Sequence, residues 1–255
     1  MGIDKYKGRV ALVTGASAGI GAAIVQALLK QGLTVVGMAR RDHKVKELEL
    51  KDAPGKLYAV AGDVSDEASV LAAFQWIKEN LGGVDILINN AGVFPITSLT
   101  EGKTEDWKRI LDVNVLGLSM CTREAVQDML SRGVDDGFII HINSVAGHST
   151  PSVDALAMYA SSKHAVKVLL EGLRKDLVAR GSKIRVGEVS PGLVRTEGVS
   201  KVMAAPPKGN ELFSKLKDMP ALESEDIAEA VVYMLSQNPR VQVSDIIVIP
   251  TGTPW

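Results

Sequence analysis

Seven short runs rich in valine, isoleucine and leucine alternate with longer segments of helical period, and this alternation leaves few folds open to the chain. The runs cover residues 9–14, 34–38, 57–60, 85–89, 138–143, 183–189 and 245–249. Each is too short for a helix and too apolar for a strand exposed on one face, which is how parallel strands covered on both faces read. Between them, residues 19–31, 66–80, 104–132, 155–180 and 224–237 carry apolar side chains at spacings of three and four, and 44–50 is a short, mostly charged helical segment. Strand and helix repeated in this way predict an α/β, Rossmann-type doubly wound parallel sheet of about seven strands with helices on both faces. No repeat or linker divides the chain, so one domain over residues 1–255 is expected.

One stretch breaks the rhythm. Residues 190–222 contain Pro191, Pro206, Pro207 and Pro220 with Gly192, Gly198 and Gly209, and have no sustained period. An irregular stretch of this length suits a lid over a substrate, and Leu193, Val194, Val199, Leu212, Phe213 and Leu216 make it apolar.

Composition narrows the partners. With 46% apolar and 23% charged residues the chain has ample material for a core, which excludes disorder. A net charge of −1, with no Lys/Arg block, argues against nucleic acid as a partner. Cys121 is the single cysteine, so no internal disulfide can form, and a reducing compartment is expected, the cytoplasm. The first residues lack the apolar core of a secretory signal, and no run approaches the ~18 residues that span a bilayer.

Immediately after the first run stands Thr14-Gly15-Ala16-Ser17-Ala18-Gly19-Ile20-Gly21, with Gly19 opening the first helix. A backbone that turns sharply to approach a pyrophosphate needs residues without Cβ, and the helix N-terminus supplies free N–H groups for the anion. The pattern Thr-Gly-x-x-x-Gly-x-Gly resembles the cofactor signature of the short-chain dehydrogenases/reductases. The resemblance runs over residues 9–249. It implies that Asp63 and Val64 contact adenine, that Asn90 and Gly92 in Asn89-Asn90-Ala91-Gly92 line the cofactor, and that Asn114 is the catalytic asparagine.

The end of the second strand, Met38-Ala39-Arg40-Arg41, has no carboxylate to bind a ribose 2′-hydroxyl. Arg40 can neutralise a 2′-phosphate, with Arg41 or Ser17 as further contacts, so NADP is the expected cofactor. Tyr159 and Lys163 are four residues apart on a helix, hence on one face. A tyrosine needs neighbouring positive charge to act as a base near neutral pH, and Lys163 supplies it. By resemblance, Ser144 is the catalytic serine that hydrogen-bonds the substrate oxygen, Asn114 holds a water leading from Lys163 to solvent, and Tyr159 and Lys163 also touch the cofactor. Pro191, Gly192, Val194 and Thr196 match the family's turn that grips the nicotinamide. The fifteen residues from Ser144 to Tyr159 exceed the thirteen usual in the family, which puts borrowed substrate geometry in doubt.

No metal is expected. His43, His141, His148 and His164 show no metal-ligand spacing, and only His148, in the stretch thought to line the substrate pocket, is a candidate for touching substrate. Residues 35–40, 121–125 and 134–140 are similar to the branch of the family that holds a vertebrate member-11 reductase and insect farnesol dehydrogenases. The resemblance implies a lipophilic alcohol or carbonyl substrate, with a farnesol-type isoprenoid alcohol favoured, and a homodimer or homotetramer. A 3- or 17-ketosteroid reductase, a broad carbonyl reductase and a non-catalytic cofactor-binding regulator are the other readings.

Overall fold

The structure is a computed structural model and describes residues 3–150, 154–204 and 219–253. Seven strands, β1 (Val10–Thr14), β2 (Thr34–Ala39), β3 (Lys56–Ala61), β4 (Ile86–Asn89), β5 (Phe138–Ile142), β6 (Arg185–Pro191) and β7 (Asp245–Val248), form one sheet. Their order is β3-β2-β1-β4-β5-β6-β7, and all six pairings are parallel. The expected doubly wound sheet is therefore present. Order reverses between β1 and β4, and ligands of such sheets bind in the crevice beyond the strand C-termini at that point.

The helices are α1 (Gly19–Lys30), α2 (Asp42–Lys46), α3 (Glu67–Leu81), α4 (Thr104–Leu111), α5 (Leu118–Ser131), α6 (Ala157–Ala179), α7 (Glu197–Ala204) and α8 (Ser224–Ser236). Alternation along β1 sends Ala11 and Val13 to one face and Val10 and Leu12 to the other. The first face packs on Ile24 and Leu28 of α1 and Ile227 and Val231 of α8. The second packs on Val70 and Ile77 of α3, Cys121 and Met129 of α5 and Leu170 of α6. Each such aliphatic side chain, fully buried, contributes roughly 1.5–3 kcal/mol. Cys121 is among them, its thiol pushed up to about 12 mainly by burial.

Three departures from expectation have local causes. α2 begins at Asp42 and ends at Lys46, ahead of the expected 44–50, because Asp42 and Lys46 pair at 2.7 Å across one turn. β6 continues to Pro191, since Ser190 and Pro191 still pair with Ile247 and Val248 of β7. The irregular stretch contains the helix α7, which starts where Thr196 Oγ1 accepts from Val199 N at 3.2 Å. Residues 205–218, which include Pro206, Pro207, Leu212, Phe213 and Leu216, lie outside the described residues. No helix among the described residues is long and apolar enough to cross a membrane.

Candidate active site

The strand C-termini surround a cavity of about 670 Å³ whose walls include Gly15, Ser17, Gly19, Ile20, Gly21, Arg40, Arg41, Asp63, Val64, Asn90, Gly92 and Thr196. The first link is the turn after β1. Gly15 has φ +67°, a conformation that disfavours a side chain, and a Cβ on Gly21 would stand 2.5 Å from Gly15 O and from Asn90 Nδ2. Asn90 fastens this turn to β4: its Nδ2 donates to Thr14 O (2.9 Å) and Gly15 O (3.2 Å), and Asn90 N donates to Thr14 Oγ1 (3.1 Å).

α1 opens onto the cavity without a cap. Ala18 at its N-cap has no side chain to accept from the first N–H groups, and no acidic residue stands in the first turn. Free donors and the positive end of the helix dipole thus meet at a glycine-lined wall, which fits a pyrophosphate. On the adenosine side, Arg40 Nη1 lies 3.7 Å from Asp63 Oδ2, and the Arg40 side chain is 69% exposed, free to meet another anion. Arg41 is engaged by Glu197 of α7, with both carboxylate oxygens at 3.2 Å, and its Nη2 is 3.4 Å from Ser17 Oγ. Lys201 also bonds Glu197. The donor set fits a dinucleotide bearing several phosphates.

Pro191, Gly192 and Val194 are not part of this wall. Gly192 N donates to Val248 O at 2.8 Å, and Val194 is buried and bridges to Leu222. Thr196 alone of that turn reaches the cavity.

Phe94, also lining the cavity, meets Tyr159 edge-on with ring centroids 5.9 Å apart. Ser144, after β5, accepts from Ala146 N at 3.1 Å and hydrogen-bonds the Tyr159 phenol. Burial pushes the phenol above its ordinary value, and the Ser144 hydrogen bond draws it back down. One turn along α6, Lys163 Nζ lies 5.9 Å from the Tyr159 ring centroid and donates to Ile142 O at 2.8 Å. Its ammonium is pulled down to about 8, mainly by burial, with the Glu188 carboxylate acting in the opposite sense. The arrangement couples a phenol, a hydroxyl and a buried cation, which can give or take a proton at one oxygen.

Asn114 lies in a π-helical turn, Asp112–Gly117, that joins α4 to α5. Such single turns often mark functional sites. Its Oδ1 accepts from Val93 N (2.8 Å), and its Nδ2 donates to Val93 O (2.9 Å) and Ser162 Oγ (3.0 Å). Ser162 in turn donates to Tyr159 O at 2.6 Å, so Asn114 braces the backbone of the Tyr159 turn.

His148 points away from the cavity. Lys167 Nζ donates to its Nδ1 at 2.7 Å, so the imidazole proton sits on Nε2, which faces Ser190 Oγ at 2.8 Å. Ser190 Oγ donates to Asp245 Oδ1 at 3.2 Å. The structure gathers His148, Glu188 and Asp245 with ligand atoms within 4.8 Å of one another, a grouping that spacing along the chain does not reveal. With Nε2 carrying its proton, the lone pair a metal needs is occupied. Elsewhere, His141 is buried and neutral, held near 3 by burial, and His43 and His164 are exposed.

Sequence reasoning passed over Phe94, Glu197, Lys201 and Glu188. A glutamate inside the apolar run Arg185-Val186-Gly187-Glu188-Val189 was the available signal for the last. For Glu197 and Lys201 it was Thr196 as a helix cap followed by an i,i+4 acid–base pair.

Comparison with known proteins agrees with this geometry. The short chain dehydrogenase family profile matches residues 9–206. The mouse protein "Dehydrogenase/reductase SDR family member 11" is 45% identical over 254 residues, 98% of this chain and 97% of that one. "Farnesol dehydrogenase" of Aedes aegypti is 43% identical over 254 residues, 98% and 99% of the two chains. Among solved structures, a short-chain dehydrogenase/reductase from Serratia marcescens superposes with a TM-score of 0.82 at 32% identity, covering 96% of this chain and 98% of that one. The closed form of a serine dehydrogenase complexed with NADP+ gives a TM-score of 0.83 at 28% identity, covering 96% of each chain.

Proposed function

This chain belongs to the short chain dehydrogenase family, and we propose that it is an NADP-dependent oxidoreductase interconverting an alcohol and a carbonyl on a lipophilic substrate, with a farnesol-type alcohol favoured. The observation that carries the reading is the phenol of Tyr159, hydrogen-bonded by Ser144 and approached by the Lys163 ammonium, joined through Phe94 to a cavity built for a dinucleotide. A bound nicotinamide dinucleotide supplies the hydride acceptor for oxidation and the donor for reduction.

The chain's own residues then handle the proton. In reduction the neutral Tyr159 phenol gives its proton to the carbonyl oxygen while Ser144 donates a hydrogen bond to the same oxygen as charge develops there. In oxidation the phenolate takes the hydroxyl proton, and the Lys163 ammonium stabilises that phenolate. Asn114 keeps the Tyr159 turn in place through Ser162.

Preference for the 2′-phosphate rests on Arg40, since Arg41 is already engaged by Glu197. The names of the relatives support the substrate class: one is a farnesol dehydrogenase. Two measurements test the reading. Purified protein should bind NADPH at least tenfold more tightly than NADH, and Arg40→Asp should reverse the order; equal affinities in the original protein would remove Arg40 from the argument. Following NADPH absorbance, farnesal should be reduced faster than short-chain aldehydes. Faster turnover of 3- or 17-ketosteroids would reassign the substrate, and a preference for short aldehydes would end the lipophilic reading.

A further inference from the structure

Glu188 is a charge where a strand should be apolar. It lies in β6 between Gly187 and Val189, 1% exposed. Its Oε2 accepts from Asn143 Nδ2 at 2.9 Å, while Oε1 is buried and has no hydrogen-bond partner among the described residues. A buried carboxylate oxygen without a donor is costly and calls for a reason.

The groups facing it come from every neighbouring element. β5 contributes Asn143 and the neutral His141, its register partner. The turn after Ser144 contributes His148, whose Nε2 lies 3.8 Å from Glu188 Oε1, and His164 of α6 acts on His148 in turn. β7 contributes Asp245, and α6 contributes Lys163 and Lys167, both acting electrostatically on Glu188. Ser190 of β6 lies between His148 and Asp245. From α8 the contact with this strand is Met234, against Gly187. Within this cluster Lys163 and Glu188 are anchored on consecutive residues of the β5 end: the ammonium on Ile142 O, the carboxylate on Asn143 Nδ2.

We propose that Glu188 is the buried counter-charge of Lys163, a positioning residue that keeps the ammonium charged beneath Tyr159. The proposal rests on the reading of Lys163 given above. It explains why a carboxylate is retained in the strand that ends at the catalytic cleft, and why Lys163, fully enclosed, can still carry charge. Burial and the nearby Asp245 push Glu188 up to about 7, and Lys163 stands at about 8. Both groups are therefore charged over a band between those values, with Glu188 losing its charge below it and Lys163 above it. Asp245 tunes the band, because its negative charge opposes ionisation of Glu188.

The test is the pH dependence of kcat/KM for alcohol oxidation. Glu188→Gln removes the counter-charge, so Lys163 loses its proton more readily and the alkaline limb should move down by at least half a pH unit, with several-fold lower activity at pH 8. Glu188→Asp should restore part of the shift. Asp245→Asn should act in the opposite direction, moving the limb up, because Glu188 then ionises more readily; a purely structural role predicts no opposed pair of shifts. Asp245 is partly exposed, so this arm survives even if Glu188→Gln does not fold. If Lys163→Ala displaces the profile while Glu188→Gln and Asp245→Asn leave it in place, the counter-charge is refuted and the role of Lys163 stands. If Lys163→Ala leaves the profile unmoved, the underlying reading of Lys163 fails as well.

Discussion

His141 shows what burial does to one side chain. It lies in β5, 1% exposed, with Asn89 Nδ2 donating to its Nδ1 at 3.2 Å, so the proton rests on Nε2 and the ring is neutral. Burial, reinforced by Lys163, holds it near 3 against an ordinary 6.5. The sign follows from linkage: between those values the unfolded chain binds a proton that the folded chain refuses, so stability falls as pH drops through 6.5 toward 3. The contribution is at most about 4 kcal/mol over that window. Urea midpoints at pH 7, 5 and 4 should therefore decline less steeply for His141→Gln than for the original protein; parallel declines would show that His141 is not the group responsible. The same scale separates what the sequence discloses from what it hides. Tyr159 and Lys163 are legible because four residues on a helix fix their relation. Glu188 is visible only as an oddity in its strand, since its partners arrive from β5, β7 and α6 and no local pattern joins them.

Among the elements, the turn from β1 into α1 depends most on the absence of side chains. A methyl on Gly21 would stand 2.5 Å from Gly15 O and Asn90 Nδ2, and the oxygen belongs to backbone that cannot swing aside. Gly21→Ala should cost about 1–3 kcal/mol of stability by overpacking and weaken NADPH binding at least tenfold. Thermal melts and a fluorescence titration would show both, and normal affinity in the variant would mean that the turn does not hold the phosphates. This turn was readable because strand, glycines and helix follow one another directly. α7 was not, because Gly198 near its start and Pro206 and Pro207 beyond its end mask eight helical residues. The cap at Thr196 is its one local mark. The π-helical turn at Asn114 was equally hidden: residues 104–132 have a continuous helical pattern, and the change of hydrogen-bonding register comes from the pull of Val93 and Ser162 on the asparagine.

For the whole molecule, the alternation of apolar runs and helical segments was enough to expect a doubly wound sheet, since strands buried on both faces need helices to cover them. Which helices share a face was not written in any single segment. It follows from right-handed crossovers on either side of β1, which put α1 and α8 on one face and α3, α5 and α6 on the other. That topology brings six strand ends together, and with them the glycine turn, Arg40, Asn90, Ser144 and, from α6, Tyr159. The account's central claim is that Tyr159 handles the proton of an alcohol–carbonyl interconversion. The most direct measurement pairs steady-state carbonyl reduction with NADPH binding for Tyr159→Phe. The account predicts a fall in kcat of about 10³-fold with the NADPH dissociation constant within about twofold of the original. Turnover within tenfold of the original, at unchanged affinity, would contradict it.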